Sequence, residues 1–147
     1  MSKRILVPLD PSKPMESVAS LVGDLARGSH ALVKLLHVAP QPANQVDDAG
    51  HVIAYADQEM ASLESQGMDY LHTVEVALGG VPAECAVRFG DPVKEILRES
   101  DSFGADLIVM GTAGRSGIKR VVLGSVAEAV FRRANVPVLL HRLARTA

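Results

Sequence analysis

Apolar positions along the chain follow two alternating patterns. Continuous apolar runs occur at 4–9 (Arg-Ile-Leu-Val-Pro-Leu), 32–38, 85–89, 107–110 and 138–142. Bounded by glycine and proline, such runs predict strands covered on both faces. The stretches between them show three-and-four spacing instead. Met15, Val18, Leu21, Val22, Leu25 and Ala26 form one helical stripe, with Pro14 in its first turn and Gly28 as its end. Residues 40–50 form a polar, proline-containing loop, longer than most connections. Ile53, Ala56, Met60, Leu63, Gly67, Leu71, Val74 and Leu78 then predict one long helix, broken by Gly79-Gly80-Val81-Pro82. Gly90-Asp91-Pro92 supplies a turn, an N-cap and a first-position proline ahead of the stripe Val93, Ile96, Leu97, Phe103. Gly104 stops that helix. Val126, Val130, Phe131 and Ala134 predict the last helix, which Asn135 and Pro137 end before the final strand.

The resulting order is βαβαβαβαβ, with no internal repeat, and reads as a single α/β domain over 1–147 with a core at about 4–143. Such alternation implies a three-layer sandwich, a parallel five-stranded sheet with helices on both faces. Right-handed crossovers carry the sheet outward from the first strand and then add the fourth on its other side, giving strand order 3-2-1-4-5. A ligand belongs where that order reverses, at the carboxyl ends of strands one and four. Those ends are Asp10 and Met110-Gly111.

Composition narrows the class. With 147 residues, 48% hydrophobic but only 3% aromatic, the chain can bury a largely aliphatic core. It contains no tract of 18 or more apolar residues, so no membrane span is expected, and its N-terminus lacks a signal-peptide cleavage pattern. A single cysteine, Cys85, excludes an internal disulfide framework and fits a reducing cytoplasm. The net charge of −2 conceals an asymmetry. Residues 41–87 contain eight acids and no Lys or Arg, whereas 111–147 contain seven Lys/Arg and one acid, Glu128. An acidic chain without a basic-plus-aromatic surface is not expected to bind nucleic acid.

The densest chemistry lies in residues 106–126, where a strand, a loop with glycines at 111, 114 and 117, and Gly124-Ser125 before a helix follow one another. Glycine lets a backbone approach an anion, and the free N–H groups of a helix start face it. Arg115, Lys119 and Arg120 add positive charge. The loop is not a P-loop, since Lys119 follows Ile118 rather than glycine, and no Gly-x-Gly-x-x-Gly follows a strand. Gly111-x2-Gly114-x9-Gly124-Ser125 resembles the loop of the universal stress protein family, in its ATP-binding branch. Ile5-Leu-Val-Pro-Leu-Asp-Pro-Ser12 and Val136-Pro-Val-Leu-Leu140 agree with the same family. Thr112 departs from the serine common after the first glycine but keeps the hydroxyl.

The resemblance implies the adenine nucleotide alpha hydrolase-like fold and an adenine nucleotide, ATP, at the switch point, with Mg²⁺ carried by the phosphates. It assigns Asp10 to the nucleotide, where the residue alone equally fits an Asx-turn. Pro8, Leu9 and Pro11 would form the adenine wall, joined by Val38, which alone would read as core. Met110 packs on base or ribose, or fills core. Gly111, Gly114, Gly124, Ser125 and Val126 would cradle phosphate, Ser125 also fitting an N-cap. Arg115 and Ser116 reach the outer phosphates or are solvated loop residues.

No catalytic or metal constellation is read. The histidines at 30, 37, 51, 72 and 141 show no His-x3-His or Glu-x2-His pairing, and Cys85 reads as a small buried apolar residue. The resemblance implies a cytoplasmic, nucleotide-dependent stress regulator or protector, dimeric through Val136–Leu140, with at most weak ATPase activity. A slow ATPase or nucleotidyl-transfer enzyme, and a dimeric interaction protein that binds no nucleotide, are the alternatives.

Overall fold

The computed structural model describes residues 3–43, 45–113 and 124–143. Strands β1 (Arg4–Pro8), β2 (Leu32–Ala39), β5 (Ala83–Phe89), β6 (Leu107–Ala113) and β7 (Val138–Leu143) form one parallel sheet in the order β5-β2-β1-β6-β7. This is the expected 3-2-1-4-5 order of a single-domain α/β fold. Alternate strand residues face opposite layers. Ile5, Val7, Val33, Leu35 and Val109 pack in one cluster with α1 (Glu16–Ser29) and α2 (Ala56–Ala77). Leu6, Leu36, Ile108 and Met110 pack in the other with α3 (Pro92–Phe103) and α4 (Ser125–Arg133). The sheet is thus covered on both sides, which is why its strands read as unbroken apolar runs.

Helix ends follow local chemistry. The Asp91 carboxylate accepts from the Lys94 amide at 2.9 Å, Pro92 occupies the first turn, and Gly104 closes α3 at φ 70°, as the sequence predicts. Helix α1 differs. Gly28 stays helical and His30 takes the left-handed position at φ 54°, its N–H bonding the Ala26 carbonyl. Pro14 lies ahead of the first turn rather than in it, because Met15 is the cap.

A two-stranded antiparallel hairpin, β3 (Gln45–Val46) and β4 (Val52–Ala54), replaces part of the expected loop and the expected start of the long helix at Ile53. Asp47 makes this turn. Its carboxylate accepts from the Ala49 and His51 amides at 3.0 and 2.8 Å, and Gly50 supplies φ 84°. In α4 the buried stripe centres on Ala127 and Val130, leaving Phe131, expected in the core, 55% exposed on its flank.

Beneath α3 lies one buried ion cluster. Glu99, 4% exposed, is paired with Lys34 of β2 and with Arg88 of β5 at 3.1 Å. Burial by itself would raise the Glu99 carboxyl. The hydrogen bond from Lys34 and the charges of Arg88 and Lys34 outweigh it and hold the group below its usual range.

Candidate functional site

The sheet order reverses between β1 and β6, and a crevice of about 440 Å³ opens at their carboxyl ends. Strand β1 delivers Pro8, Leu9 and Asp10 to it. The Leu9 amide still donates to the Leu36 carbonyl at 2.8 Å, so the chain leaves the sheet only at Asp10. Val38 lies at the end of β2, and Met110 and Gly111 are supplied by β6. On the opposite bank Gly124 caps α4 at φ −60° and ψ 151°, followed by Ser125 and Val126. The first N–H groups of a helix have no acceptor within the helix itself.

Nine of the thirteen predicted residues therefore line one cavity: Pro8, Leu9, Asp10, Val38, Met110, Gly111, Gly124, Ser125 and Val126; Pro11, expected in the adenine wall, is not among its lining residues. Gly114, Arg115 and Ser116 lie outside the described residues. The two motifs, more than 100 residues apart in sequence, converge as the topology demands. Lys13, Met15 and His37 also line the crevice and were not singled out from the sequence. Lys13 could have been found: it sits three residues after Asp10 in the turn that leaves β1. His37 carried no signal beyond being the neighbour of Val38, and its Nδ1 lies 3.4 Å from the Leu9 carbonyl oxygen.

The two outer glycines of the motif differ in kind. Gly111 is not a loop residue, because β6 runs on to Ala113 and pairs Gly111 with His141 in β7. A Cβ on Gly111 would meet Leu143 Cδ2 at 2.7 Å, so any other residue there must displace the Leu143 side chain. Among the described residues, a Cβ on Gly124 would meet no atom within 4 Å. The described residues leave the space in front of it open. Ser125 is the first helical residue rather than the N-cap, and it is exposed.

Asp10 forms the Asx-turn that its residue type allows. Its Oδ1 accepts from the Ser12 amide at 2.9 Å and the Ser12 hydroxyl at 2.7 Å, and its Oδ2 lies 3.9 Å from Lys13 Nζ. The side chain stays 48% exposed at the crevice, so local turn and ligand contact are compatible. The phenol of Tyr70 on α2 is raised, first by burial and then by the charges of Asp10 and Glu16.

Comparison with known proteins agrees with this architecture. The chain matches the Universal stress protein family over residues 1–142 and belongs to it. It is 32% identical to the universal stress protein MJ0531 of Methanocaldococcus jannaschii over 142 residues, covering 94% of this chain and 81% of that one. Its fold is similar to that of MJ0577 from the same organism, with TM-score 0.78, 26% identity and 99% of each chain covered. It is also similar to a universal stress protein from Archaeoglobus fulgidus in complex with dAMP, with TM-score 0.59, 23% identity, and 94% and 96% covered. Among the described residues no helix is long and apolar enough to cross a membrane.

Proposed function

We propose that this protein binds ATP in the crevice between β1, β6 and α4 and acts as a nucleotide-dependent regulator or protector in the cytoplasm, hydrolysing ATP slowly at most. The observation that carries the reading is the open space at Gly124. A helix start, whose first N–H groups lack intrahelical acceptors, borders a 440 Å³ cavity, and a Cβ on Gly124 would meet nothing within 4 Å among the described residues. The volume suits a small organic ligand. Pro8, Leu9, Val38 and Met110 offer an apolar wall to a purine, and Asp10 and Lys13 offer polar contacts to ribose and phosphate. The fold relative complexed with dAMP supports an adenine nucleotide as the class. Gly114, Arg115 and Ser116 complete the proposed phosphate loop, and Mg²⁺ arrives on the triphosphate.

Calorimetry with Mg-ATP tests this reading, and Gly124→Asp sharpens it. Aspartate is a favourable N-cap, so the variant should fold as stably as the parent or slightly more so. It should nevertheless lose nucleotide affinity by at least about tenfold, roughly 1.4 kcal/mol, because a carboxylate then occupies the phosphate position. Unchanged affinity in a folded variant refutes the loop's role. We further propose a homodimer through the free edge of β7, around Val136–Leu140, since β7 ends the sheet with β6 as its one strand neighbour among the described residues. Sedimentation of a sample that stays monomeric at high micromolar concentration would refute it.

A further inference from the structure

Away from the crevice, on the outer side of α2 and the edge strand β5, three unlike donor atoms converge. His72 Nδ1 lies 3.0 Å from Glu75 Oε2, and Cys85 Sγ lies 3.9 Å from the former and 3.8 Å from the latter. His72 and Glu75 stand one turn apart on α2, and β5 brings Cys85 beneath them. None of the three lines the nucleotide crevice. Sequence reading found no such set, because the order is His-x2-Glu and the thiol follows ten residues after Glu75, across a turn and into a strand.

We infer that His72, Glu75 and Cys85 form a binding site for a zinc-class divalent cation, with water as the fourth ligand. The spacing fits that ion. Tetrahedral Zn²⁺ with one sulfur, one nitrogen and one oxygen at usual bond lengths separates its ligand atoms by about 3.4 to 3.6 Å. The separations here, 3.0, 3.8 and 3.9 Å, need shifts of only a few tenths of an ångström. A thiolate, an imidazole and a carboxylate together select zinc or a softer transition metal over Mg²⁺ or Ca²⁺. The local field also favours a cation: residues 41–87 hold eight acids and no Lys or Arg. Among the described residues His72 is the one ion-pair partner of Glu75, and no Lys or Arg competes there.

In the metal-free cluster the Cys85 thiol donates to Glu75 Oε2 at 3.8 Å. Burial first, and then the charge of Glu75 and a hydrogen bond to it, push the Cys85 thiol up to about 11. Metal uptake releases the thiol proton to solvent as the thiolate forms. Cys85 is half-buried rather than fully buried, and His72 is 58% exposed, so an ion can enter from solvent without unfolding. Once bound, it ties the last turns of α2 to the sheet edge.

Titrating the nucleotide-free protein with Co²⁺ and then Zn²⁺ tests the assignment. One Co²⁺ per chain should produce a thiolate-to-cobalt charge-transfer band and the visible bands of a tetrahedral site, both bleached by Zn²⁺. Cys85→Ala should abolish the charge-transfer band. His72→Ala should weaken Zn²⁺ binding by more than roughly 100-fold, the upper range for loss of a mere outer-shell partner. Both variants change partly exposed side chains, and circular dichroism confirms that each is folded. The control His51→Ala, on the β3–β4 turn, should bind as the parent does. A parent with no charge-transfer band, or equal metal uptake by the parent and by Cys85→Ala, would overturn the site. Mg-ATP affinity of the same variants should be unchanged, which separates this site from the crevice.

Discussion

The two ends of the sheet are built to opposite specifications. At the amino ends of the strands, polar groups are matched across elements. The Arg4 amide donates to Asp106 at 2.9 Å, its guanidinium donates to the Phe103 carbonyl at 2.6 Å, and Arg27 donates to the Leu78 carbonyl at 2.9 Å. A smaller hollow of about 260 Å³ lies there, around Arg27 and His30. At the carboxyl ends, the larger crevice keeps a helix start, an exposed serine and a half-exposed aspartate in contact with solvent. The contrast teaches that this fold keeps its cross-links at one end so that the other can stay open. Stability and ligand affinity should therefore respond to different substitutions.

The largest expected effect lies beneath α3. Lys34→Ala leaves the buried Glu99 with Arg88 alone and should cost about 3 kcal/mol in urea unfolding, while Mg-ATP affinity is retained. Because the folded Glu99 carboxyl lies below its unfolded value, its contribution is fully present above about pH 4.3 and is lost as pH falls through the folded value. The unfolding midpoint of the parent should thus drop in that acidic window, and Lys34→Ala should flatten the drop. A parallel pH dependence in both proteins would contradict the assignment. Gly111→Ala comes next and is the substitution most able to break the contrast. Its Cβ collides with Leu143, so it should cost about 1–3 kcal/mol even though the residue lines the crevice. Gly124→Asp, on the opposite bank, should cost no stability; equal thermal midpoints for these two variants would erase the distinction between the glycines. Arg4→Ala is the smallest. Losing the hydrogen bond to Phe103 and the stacking of the guanidinium on that ring at 5.5 Å should cost about 1 kcal/mol and leave nucleotide affinity untouched.

What the sequence displayed was whatever repeats or stops locally. Double-sided burial makes strands such as Leu32–Ala39 legible as apolar runs, and Asp91, Pro92 and Gly104 mark α3 to the residue. The β3–β4 hairpin was hidden because strands of two and three residues are too short to show a period. Its determinants are a single aspartate turn and one positive-φ glycine. Gly28 and His30 show a different limit. Either could end α1, and only the geometry of the chain entering β2 decides for the histidine. At the site, the topology rule located the crevice from Asp10 and Met110 alone. Lys13 was within reach of its spacing from Asp10, whereas His37 escaped notice because nothing local marks which β2 side chain meets the end of β1. The same blindness to distance hid the meeting of His72 and Glu75 with Cys85.

The sheet divides the interior into two apolar layers, and the crevice is where they touch. Leu9 and Met15 reach it from one layer, Ile96 and Met110 from the other. Mutational drift beneath α1 and α2 should leave the packing under α3 and α4 undisturbed, yet either history ends at the same four side chains. Any occupant of that gap clasps both halves at once, so its binding reads the combined state of two interiors that the sheet otherwise holds apart.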